Sequence, residues 1–306
     1  IPVSQFPAKL VLELRSLTRK YYDLTDERSA HINKLKGDLH TVFPQYLDVF
    51  CDVTGKTSTM ILRQYGTPDK ILRGHKKTMI EKISKASRKG LAKASERYEK
   101  LCAAANAAKT FGCQIDSIYF NIFLTLDLVE KLDSALDSIL NRIRQLITFN
   151  KNEKFIQQIK LLNTIPGVGF LTAVTIMCEI GDFSAFRNPK QLFAYFGLDP
   201  EVNESGKFVG TQLHMSKRGS RIARRAIFAV ALASIRTKRN GEGINPYLRK
   251  YYELKSGQKP KMVAIGAVMH KVCNIVFAVL RDEKAFELRS PEEHCKQYQR
   301  PALAAA

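Results

Sequence analysis

Apolar residues recur at every third or fourth position over long stretches of this sequence, which places them on one face of an α-helix. The first stretch covers residues 8–43, and its seam consists of Leu10, Leu14, Leu17, Tyr21, Leu24, Ile32, Leu35, Leu39 and Val42. Arg28 interrupts this seam, and Pro44 predicts the helix end because proline lacks a backbone N–H. Asp23, Asp26 and Glu27 fall on the predicted solvent face.

A second long helix has the most regular spacing. Its seam steps by three and four through Ile115, Ile118, Ile122, Thr125, Val129, Leu132, Leu136, Ile139, Ile143 and Leu146. Sustained over about four heptads, this repeat predicts a coiled coil, roughly 50 Å long at 1.5 Å per residue. The helix could pair with residues 10–43 of the same chain or with a second copy.

The segment between these helices is strongly basic. Residues 63–100 hold twelve Lys or Arg against four Asp or Glu. Thr67 and Pro68 predict a helix start, and residues 101–109 are alanine-rich and helical. The basic residues form either a solvated face or a surface that meets nucleic acid.

Residues 161–173 read Leu-Leu-Asn-Thr-Ile-Pro-Gly-Val-Gly-Phe-Leu-Thr-Ala, with an apolar turn between two predicted helices. Gly167 and Gly169 permit a tight turn, and the N–H groups of the next helix could meet a DNA phosphate. This is the pattern of a helix-hairpin-helix. An ordinary joint within a helical core is the alternative.

The chemistry concentrates in residues 196–225. A turn-rich piece, Asn203-Glu204-Ser205-Gly206, precedes a short alternating segment and a basic loop that opens a helix. The predicted nucleic-acid-binding residues of this region are Lys207, Lys217, Arg218, Arg221, Arg224 and Arg225. Arginine forms bidentate contacts with phosphate, so the region predicts a hydroxyl beside a phosphate-binding surface. Ser205 could instead be only a turn residue.

The rest of the chain predicts further helices at residues 189–196, 219–239, 246–252 and 261–280. His270 lies in the last of these, where it is expected to be a packed histidine rather than a catalyst.

The chain of 306 residues has a formal net charge of +20. Such an excess predicts a polyanionic partner, most simply nucleic acid, with a membrane surface as the rival. No apolar run looks long enough to span a bilayer, and no signal peptide is evident. The six cysteines lack zinc-site spacing and are expected to be reduced thiols.

Known catalytic motifs, including the phosphate-binding P-loop and the hydrolase Gly-x-Ser-x-Gly, are absent from the sequence. Ser205 is therefore the best candidate nucleophile. A serine that attacks a DNA phosphodiester keeps the bond energy in a phosphoserine link, and neighbouring cations would stabilise the transition state. No carboxylate cluster suggests a metal site.

Several motifs in this order resemble one family. They are Ile165-Pro-Gly-Val-Gly, Ala194-Tyr-Phe-Gly-Leu-Asp-Pro, Glu204-Ser-Gly and Met215-Ser-Lys-Arg-Gly with Arg224-Arg225. Residues 161–280 are similar to the C-terminal domain of the DEDD transposases of the insertion-sequence-110 type, which are related to the pilin-gene-inverting recombinases. The upstream helices resemble the coiled-coil region of that family.

The resemblance implies a DNA transposase or site-specific recombinase with Ser205 as nucleophile. In this family an N-terminal RuvC-like domain binds Mg²⁺ through acidic residues, and the two sites meet within a homo-oligomer, here a dimer or tetramer. Some members use a guide RNA encoded by the element. The resemblance also implies the cytoplasm of a bacterium or archaeon.

The chain departs from this family because the RuvC-like carboxylates are missing. We therefore expect an N-terminally truncated protein that holds no Mg²⁺ itself and is inactive alone. A non-catalytic helix-hairpin-helix protein that binds nucleic acid is the alternative function, and a coiled-coil assembly protein is a third.

The expected fold is mainly α: long coiled-coil helices, then a helical transposase domain with a helix-hairpin-helix and a small β element near Ser205. The predicted divisions are an N-terminal end with the first coiled-coil helix (1–50), a basic helical insertion (51–112), the second coiled-coil helix (113–150), the transposase domain (151–290) and a tail (291–306).

Overall fold

The computed structural model describes residues 8–111, 113, 115–151, 153–201, 204–205, 208–209, 214–290 and 292–293. These residues form a mainly α-helical protein, as the apolar spacing predicts. The chain divides into two compact units. We call residues 21–139 the middle unit, and residues 1–20 with 140–306 the terminal unit.

The middle unit contains most of the two long helices, α1 (Lys9–Val42) and α7 (Asp116–Phe149), and all of the five helices between them in the chain. The enclosed helices are α2 (Tyr46–Val49), α3 (Lys56–Gln64), α4 (Pro68–Arg73), α5 (Lys76–Ser87) and α6 (Gly90–Phe111). Thr67 caps α4 as predicted, since its side chain accepts a hydrogen bond from the Lys70 amide and Pro68 follows it.

Within the middle unit, α1 and α7 run antiparallel. Arg28, the residue that interrupts the α1 seam, forms a bidentate ion pair with Asp133 of α7. Nearer the ends, the Tyr119 hydroxyl donates to the carbonyl of Val42 at 3.4 Å. Position 28 thus faces position 133 and position 42 faces position 119, so the two helices meet within one chain. The coiled-coil assignment itself stays a prediction.

Most residues of the predicted seams lie on the buried faces of these helices, but Ile115 precedes α7 and is 42% exposed. Leu14, Leu35 and Leu39 of α1 are fully buried, as is Ile143 of α7. Between α1 and α7, apolar side chains of α3 to α6 close a core around Tyr46, whose hydroxyl bonds Ser58. Burial raises the pKa of Tyr46 well above its usual value, and the hydrogen bond to Ser58 only partly offsets that shift.

The terminal unit contains the remaining helices and a 3-10 turn at Phe183–Ala185. The helices are α8 (Lys154–Leu162), α9 (Phe170–Ile180), α10 (Pro189–Tyr195), α11 (Arg221–Ser234), α12 (Pro246–Ser256) and α13 (Lys261–Asp282). Helix α9 is buried from Ala173 to its end, and α13 packs against α8, α10, α11 and α12. These two helices form the centre of this unit.

Helix α11 is shorter than the spacing predicts. It ends at Ser234 rather than near residue 239. Ser234 is buried and its hydroxyl donates to the carbonyl of Pro166, while its own carbonyl accepts from the amide of Asn245. The chain therefore turns away at this point, and α12 begins after Asn245 caps it. Helix α12 in turn runs to Ser256, beyond the predicted residue 252.

The expectation that no segment could span a bilayer is wrong for α13. By length and composition, it is the one helix among the described residues that could cross a membrane. Core helices of water-soluble proteins pass the same criterion, and 56% of its most apolar window is buried inside the protein. Its contacts with four neighbouring helices fit a core position.

Candidate nucleic-acid interface

The Ser205 region forms an antiparallel arm between α10 and α11. The outgoing strand of the arm is residues 197–201 and the returning strand is residues 214–217. Backbone amides join the two strands: Lys217 to Gly197 at 3.0 Å, Ser216 to Asp199 at 2.8 Å and Glu201 to His214 at 2.7 Å. A bridge between Pro200 and Met215 completes the ladder.

Beyond this arm the chain forms the small β element that the sequence predicts near Ser205. Strand β1 (Glu204–Ser205) pairs antiparallel with β2 (Phe208–Val209), and Ser205 lies opposite Phe208. Ser205 is four residues from Glu201, so at up to about 3.6 Å per residue their Cα atoms are at most roughly 14 Å apart. The serine is thus tethered close to the arm. Lys207 lies outside the described residues.

Two glycines let the arm pack tightly at its base. Gly197 has φ +65°, and a Cβ there would lie 2.5 Å from the amide nitrogen of Gly219. A Cβ on Gly219 would in turn lie 2.0 Å from the carbonyl oxygen of Tyr195. Both distances are far below any van der Waals contact, so only glycine permits this approach of the two backbones.

The side chain of Arg224 stabilises the basic loop through hydrogen bonds to backbone carbonyls. Its Nη1 donates to the carbonyls of Phe196 at 3.2 Å, Lys217 at 3.1 Å and Gly219 at 2.7 Å. These three carbonyls belong to both sides of the contact at the base of the arm. The structure therefore gives Arg224, which the sequence assigned to nucleic-acid binding, a role in fixing the loop.

Short side chains add two further restraints. The Ser216 hydroxyl donates to the Asp199 carboxylate at 2.6 Å, across the arm. Ser220 caps α11 because its hydroxyl accepts a hydrogen bond from the amide of Ala223 at 3.2 Å. Hydrogen bonds thus restrain loop 215–220 at Ser216, near its start, and at Ser220, where α11 begins.

Glu179 of α9 connects this loop to α1 inside the terminal unit. Its side chain is 2% exposed and accepts two hydrogen bonds from the guanidinium of Arg19, both at 2.9 Å. The Ser220 hydroxyl also bonds this carboxylate, and the Tyr195 hydroxyl donates to the Glu179 carbonyl at 3.1 Å. Glu179 therefore contacts both sides of the base of the arm.

Burial by itself raises the pKa of Glu179. The hydrogen bonds from Arg19 and Ser220, with the charges of Arg19 and Arg15, outweigh it, so the pKa lies below its usual value. The carboxylate is consequently ionised at neutral pH. Arg15 takes part in the same region through a 2.7 Å hydrogen bond from its Nε to the carbonyl of Cys178.

The other predicted cations lie on and beside the loop. Lys217, which has φ +54°, and Arg218 are exposed at its tip. Arg221 is exposed and Arg225 is half-buried in the first turns of α11, and both already have an interaction partner within the chain. Lys217, Arg218 and Arg221 together present positive charge next to the arm that carries Ser205.

The turn with Gly167 and Gly169 joins α8 to α9 as predicted. Gly167 has φ +97°, and a Cβ there would lie 2.6 Å from the Ser234 hydroxyl, so packing against α11 explains this glycine. Gly169 precedes α9 without a side-chain cap, and the space around its Cα is open. The helix-hairpin-helix assignment and DNA contact here stay predictions.

The described residues contain no group of three His, Cys, Asp or Glu side chains that could hold a metal ion. The five cysteines among the described residues are free thiols, and burial raises the pKa of Cys178 to about 12. His270 packs edge-on against Phe193 with ring centroids 4.1 Å apart, as expected of a packed histidine.

Sequence reasoning did not identify Glu179 as part of this region. The one available signal is that an acidic residue stands in an otherwise apolar helix, between Cys178 and Ile180. A buried carboxylate requires a partner, but Arg19 is 160 positions away, so the sequence alone does not reveal the pairing.

The sequence is similar to those of several known proteins. The sequence pattern of the transposase IS116/IS110/IS902 family matches residues 159–253, which contain α9, the arm and the basic loop. A 43.6 kDa protein of insertion element IS110 from Streptomyces coelicolor is 23% identical over 286 residues, 92% of this chain and 66% of the relative. Residues 159–253 of the chain therefore resemble this transposase family.

Two further relatives have more specific names. The pilin gene-inverting protein of Moraxella bovis is 30% identical over 177 residues, 58% of the chain and 52% of the relative. The transposase for insertion sequence element IS1111A of Coxiella burnetii is 26% identical over 188 residues, 60% of the chain and 50% of the relative. The chain thus spans between half and two thirds of these relatives' length.

Proposed function

We propose that this chain is the C-terminal part of a DNA transposase or site-specific recombinase in which Ser205 is the nucleophile. The observation that carries the proposal is the arm. Its backbone ladder pairs residues 197–201 with residues 214–217, and the Ser205 β element lies beyond it. Arg224, Asp199 and the Gly197–Gly219 contact fix the backbone of the loop that presents the exposed Lys217 and Arg218. The names of the Moraxella and Coxiella relatives support DNA rearrangement.

In the proposed reaction, the Ser205 oxygen attacks a phosphorus atom of the DNA backbone. A new O–P bond forms as the serine hydroxyl loses its proton, and the bond from phosphorus to one deoxyribose oxygen breaks. The departing oxygen takes up a proton and becomes a free hydroxyl. Attack on the phosphoserine by another DNA hydroxyl reverses these steps, so the strand is rejoined without an external energy source.

The cations of the basic loop have two tasks. Lys217, Arg218 and Arg221 would bind phosphates and so position the strand near Ser205. Fixed positive charge would also stabilise the extra negative charge that develops on the phosphate oxygens in the transition state. We propose that the complete protein works in the cytoplasm as a homo-oligomer and can use a guide RNA. We also propose that it uses Mg²⁺, which is held by residues other than those that the structure describes.

The test is made in the complete protein with a DNA substrate that carries a nick, which prevents rejoining and traps the adduct. The intact protein should yield a covalent complex whose DNA-linked peptide contains Ser205. Ser205→Ala should abolish the adduct and strand exchange but leave DNA affinity within about twofold. Ser256→Ala is the control, because that hydroxyl only bonds the carbonyl of Glu253 in α12.

An adduct on another residue, or normal strand exchange by Ser205→Ala, would overturn the assignment of Ser205. DNA binding without any covalent adduct would favour the non-catalytic helix-hairpin-helix alternative.

A further inference from the structure

A second basic surface lies in the middle unit, outside the matched transposase segment. Helices α5 and α6 pack against each other as a hairpin. Arg88 with φ +54° and Gly90 with φ +75° form the turn between them. Residues 82–95 contain five Lys or Arg and no Asp or Glu. We define the hairpin tip by four exposed cations: Lys85, Arg88, Lys89 and Lys93.

The cations of the hairpin tip differ from other basic residues of this unit. Lys100 pairs with Glu96 at 2.8 Å, and Lys109 pairs with Asp69 at 2.8 Å. Arg63 bonds two acids of α7. None of the four cations at the tip forms a salt bridge with a described residue. Their charge is therefore available to an external partner.

This arrangement is unfavourable for the folded chain by itself. Four positive charges are concentrated around one turn, and like charges in close proximity repel. Lys89 and Lys93 flank the start of α6, whose first turn has no acidic residue, although the helix dipole favours negative charge there. A merely solvated face would gain from acids interspersed among the lysines, as occurs further along α6 at Glu96 and Glu99.

A polar groove of about 160 Å³ opens beside the hairpin tip. Its lining includes Lys89, Lys93 and Arg97. Two acids also line it, but Glu96 is neutralised by Lys100, which leaves Asp48 against the three cations. The groove therefore extends the positive surface inward from the turn and gives phosphate oxygens more than one cation to contact.

We propose that the hairpin tip binds the sugar-phosphate backbone of duplex DNA. Residues 82–95 contain no aromatic residue on which unpaired bases could stack, and no Asn or Gln that could read base edges. Contacts from Lys and Arg alone suit the uniform charge of a duplex, so this surface increases affinity without adding sequence preference. The inference rests on the proposed function for its DNA partner.

The test compares the chain with a variant in which all four cations of the tip are changed to Gln. A matched control removes four exposed lysines elsewhere: Lys20, Lys34, Lys36 and Lys131. Affinity for a duplex DNA of mixed sequence is measured at several salt concentrations. The tip variant should bind at least 10-fold more weakly at low salt, and the magnitude of the slope of log K against log salt should fall by about 3.6, which is four contacts at about 0.9 each. The control should change affinity less than threefold.

Equal effects of the two variants would overturn the inference and leave only a general dependence on net charge. A loss confined to RNA, with DNA binding intact, would also overturn it. Circular dichroism and thermal unfolding establish that both variants are folded, which is expected because every substituted side chain is exposed. The covalent adduct on Ser205 is scored separately, so the proposed function can fail while this inference holds, and the reverse.

Discussion

The guanidinium of Arg19 donates two hydrogen bonds of 2.9 Å to the carboxylate of Glu179, which is 2% exposed. Arg19 belongs to α1, whereas Glu179 lies in α9 and also bonds the Ser220 hydroxyl at the start of α11. One buried carboxylate thus connects the first helix of the chain to the basic loop at the base of the arm.

Replacing Glu179 with Gln should destabilise the terminal unit. Gln has a similar shape but carries no charge and cannot accept both Arg19 hydrogen bonds. We expect the free energy of unfolding to fall by about 1.5 kcal/mol, the lower end for hydrogen bonds to charged groups, because the Arg19 side chain is 51% exposed to solvent. Urea unfolding at pH 7 measures this, and Glu99→Gln, at an exposed position of α6, is the control. Equal stability of the two variants would contradict the role of Glu179.

The stability difference between the intact chain and Glu179→Gln should depend on pH. Because the folded-state pKa of Glu179 is lowered from its ordinary 4.5, its stabilisation is fully present above that value and is lost as the pH falls through the folded-state pKa. The stability gap between the intact chain and Glu179→Gln should stay constant from pH 7 to about 5 and narrow below that. A gap that instead widened on acidification would refute an ionised Glu179.

Gly219→Ala should disrupt the base of the arm. The added Cβ would lie 2.0 Å from the Tyr195 carbonyl oxygen, so one backbone must move. We expect a loss of about 1–3 kcal/mol in unfolding free energy together with weaker DNA binding. Gly266→Ala within α13 is the control, since nothing lies within 4 Å of its Cβ position, and it should be neutral or stabilising by up to about 1 kcal/mol. Similar results for both variants would argue against the tight contact.

Arg224→Gln separates support of the loop from direct DNA contact. Three carbonyls lose their shared donor, so we expect faster hydrogen exchange at the Lys217 amide, which bonds Gly197 in the intact arm. Arg218→Gln is the comparison, because its exposed side chain should lower the salt slope of DNA binding by about 1 without changing this exchange. If Arg224→Gln lowers the slope and leaves the exchange unchanged, Arg224 contacts DNA directly.

Local patterns in the sequence predict most of the helices. The seam of α7 and the Thr67-Pro68 start of α4 depend on neighbours within one or two turns, so spacing suffices to find them. The end of α11 was predicted five residues too late, because Ser234 is held by Pro166 and Asn245, which are distant in the chain or beyond the helix. The helical spacing of apolar residues continues past Ser234, so the sequence pattern does not show that these contacts end the helix there.

In the candidate site, too, local sequence patterns are predictable and tertiary contacts are not. The glycines, the serine and the cations of residues 196–225 are visible as a motif, and the resemblance assigns them roles. Which cation faces outward is a tertiary property: Arg224 and Arg225 are adjacent, yet the sequence does not show that Arg224 bonds three carbonyls. The partnership of Glu179 with Arg19 is likewise determined by how α1 and α9 pack, which no local pattern encodes.

The contact between Gly197 and Gly219 also restricts which sequences can evolve in this segment. Either position rejects every side chain, because the first carbon beyond Cα already overlaps the opposite backbone. A change at one glycine cannot be compensated by a smaller residue at the other, since none exists. Descendants of this chain can therefore vary the exposed cations of the loop, while the two glycines persist as an inherited pair that marks where the arm begins.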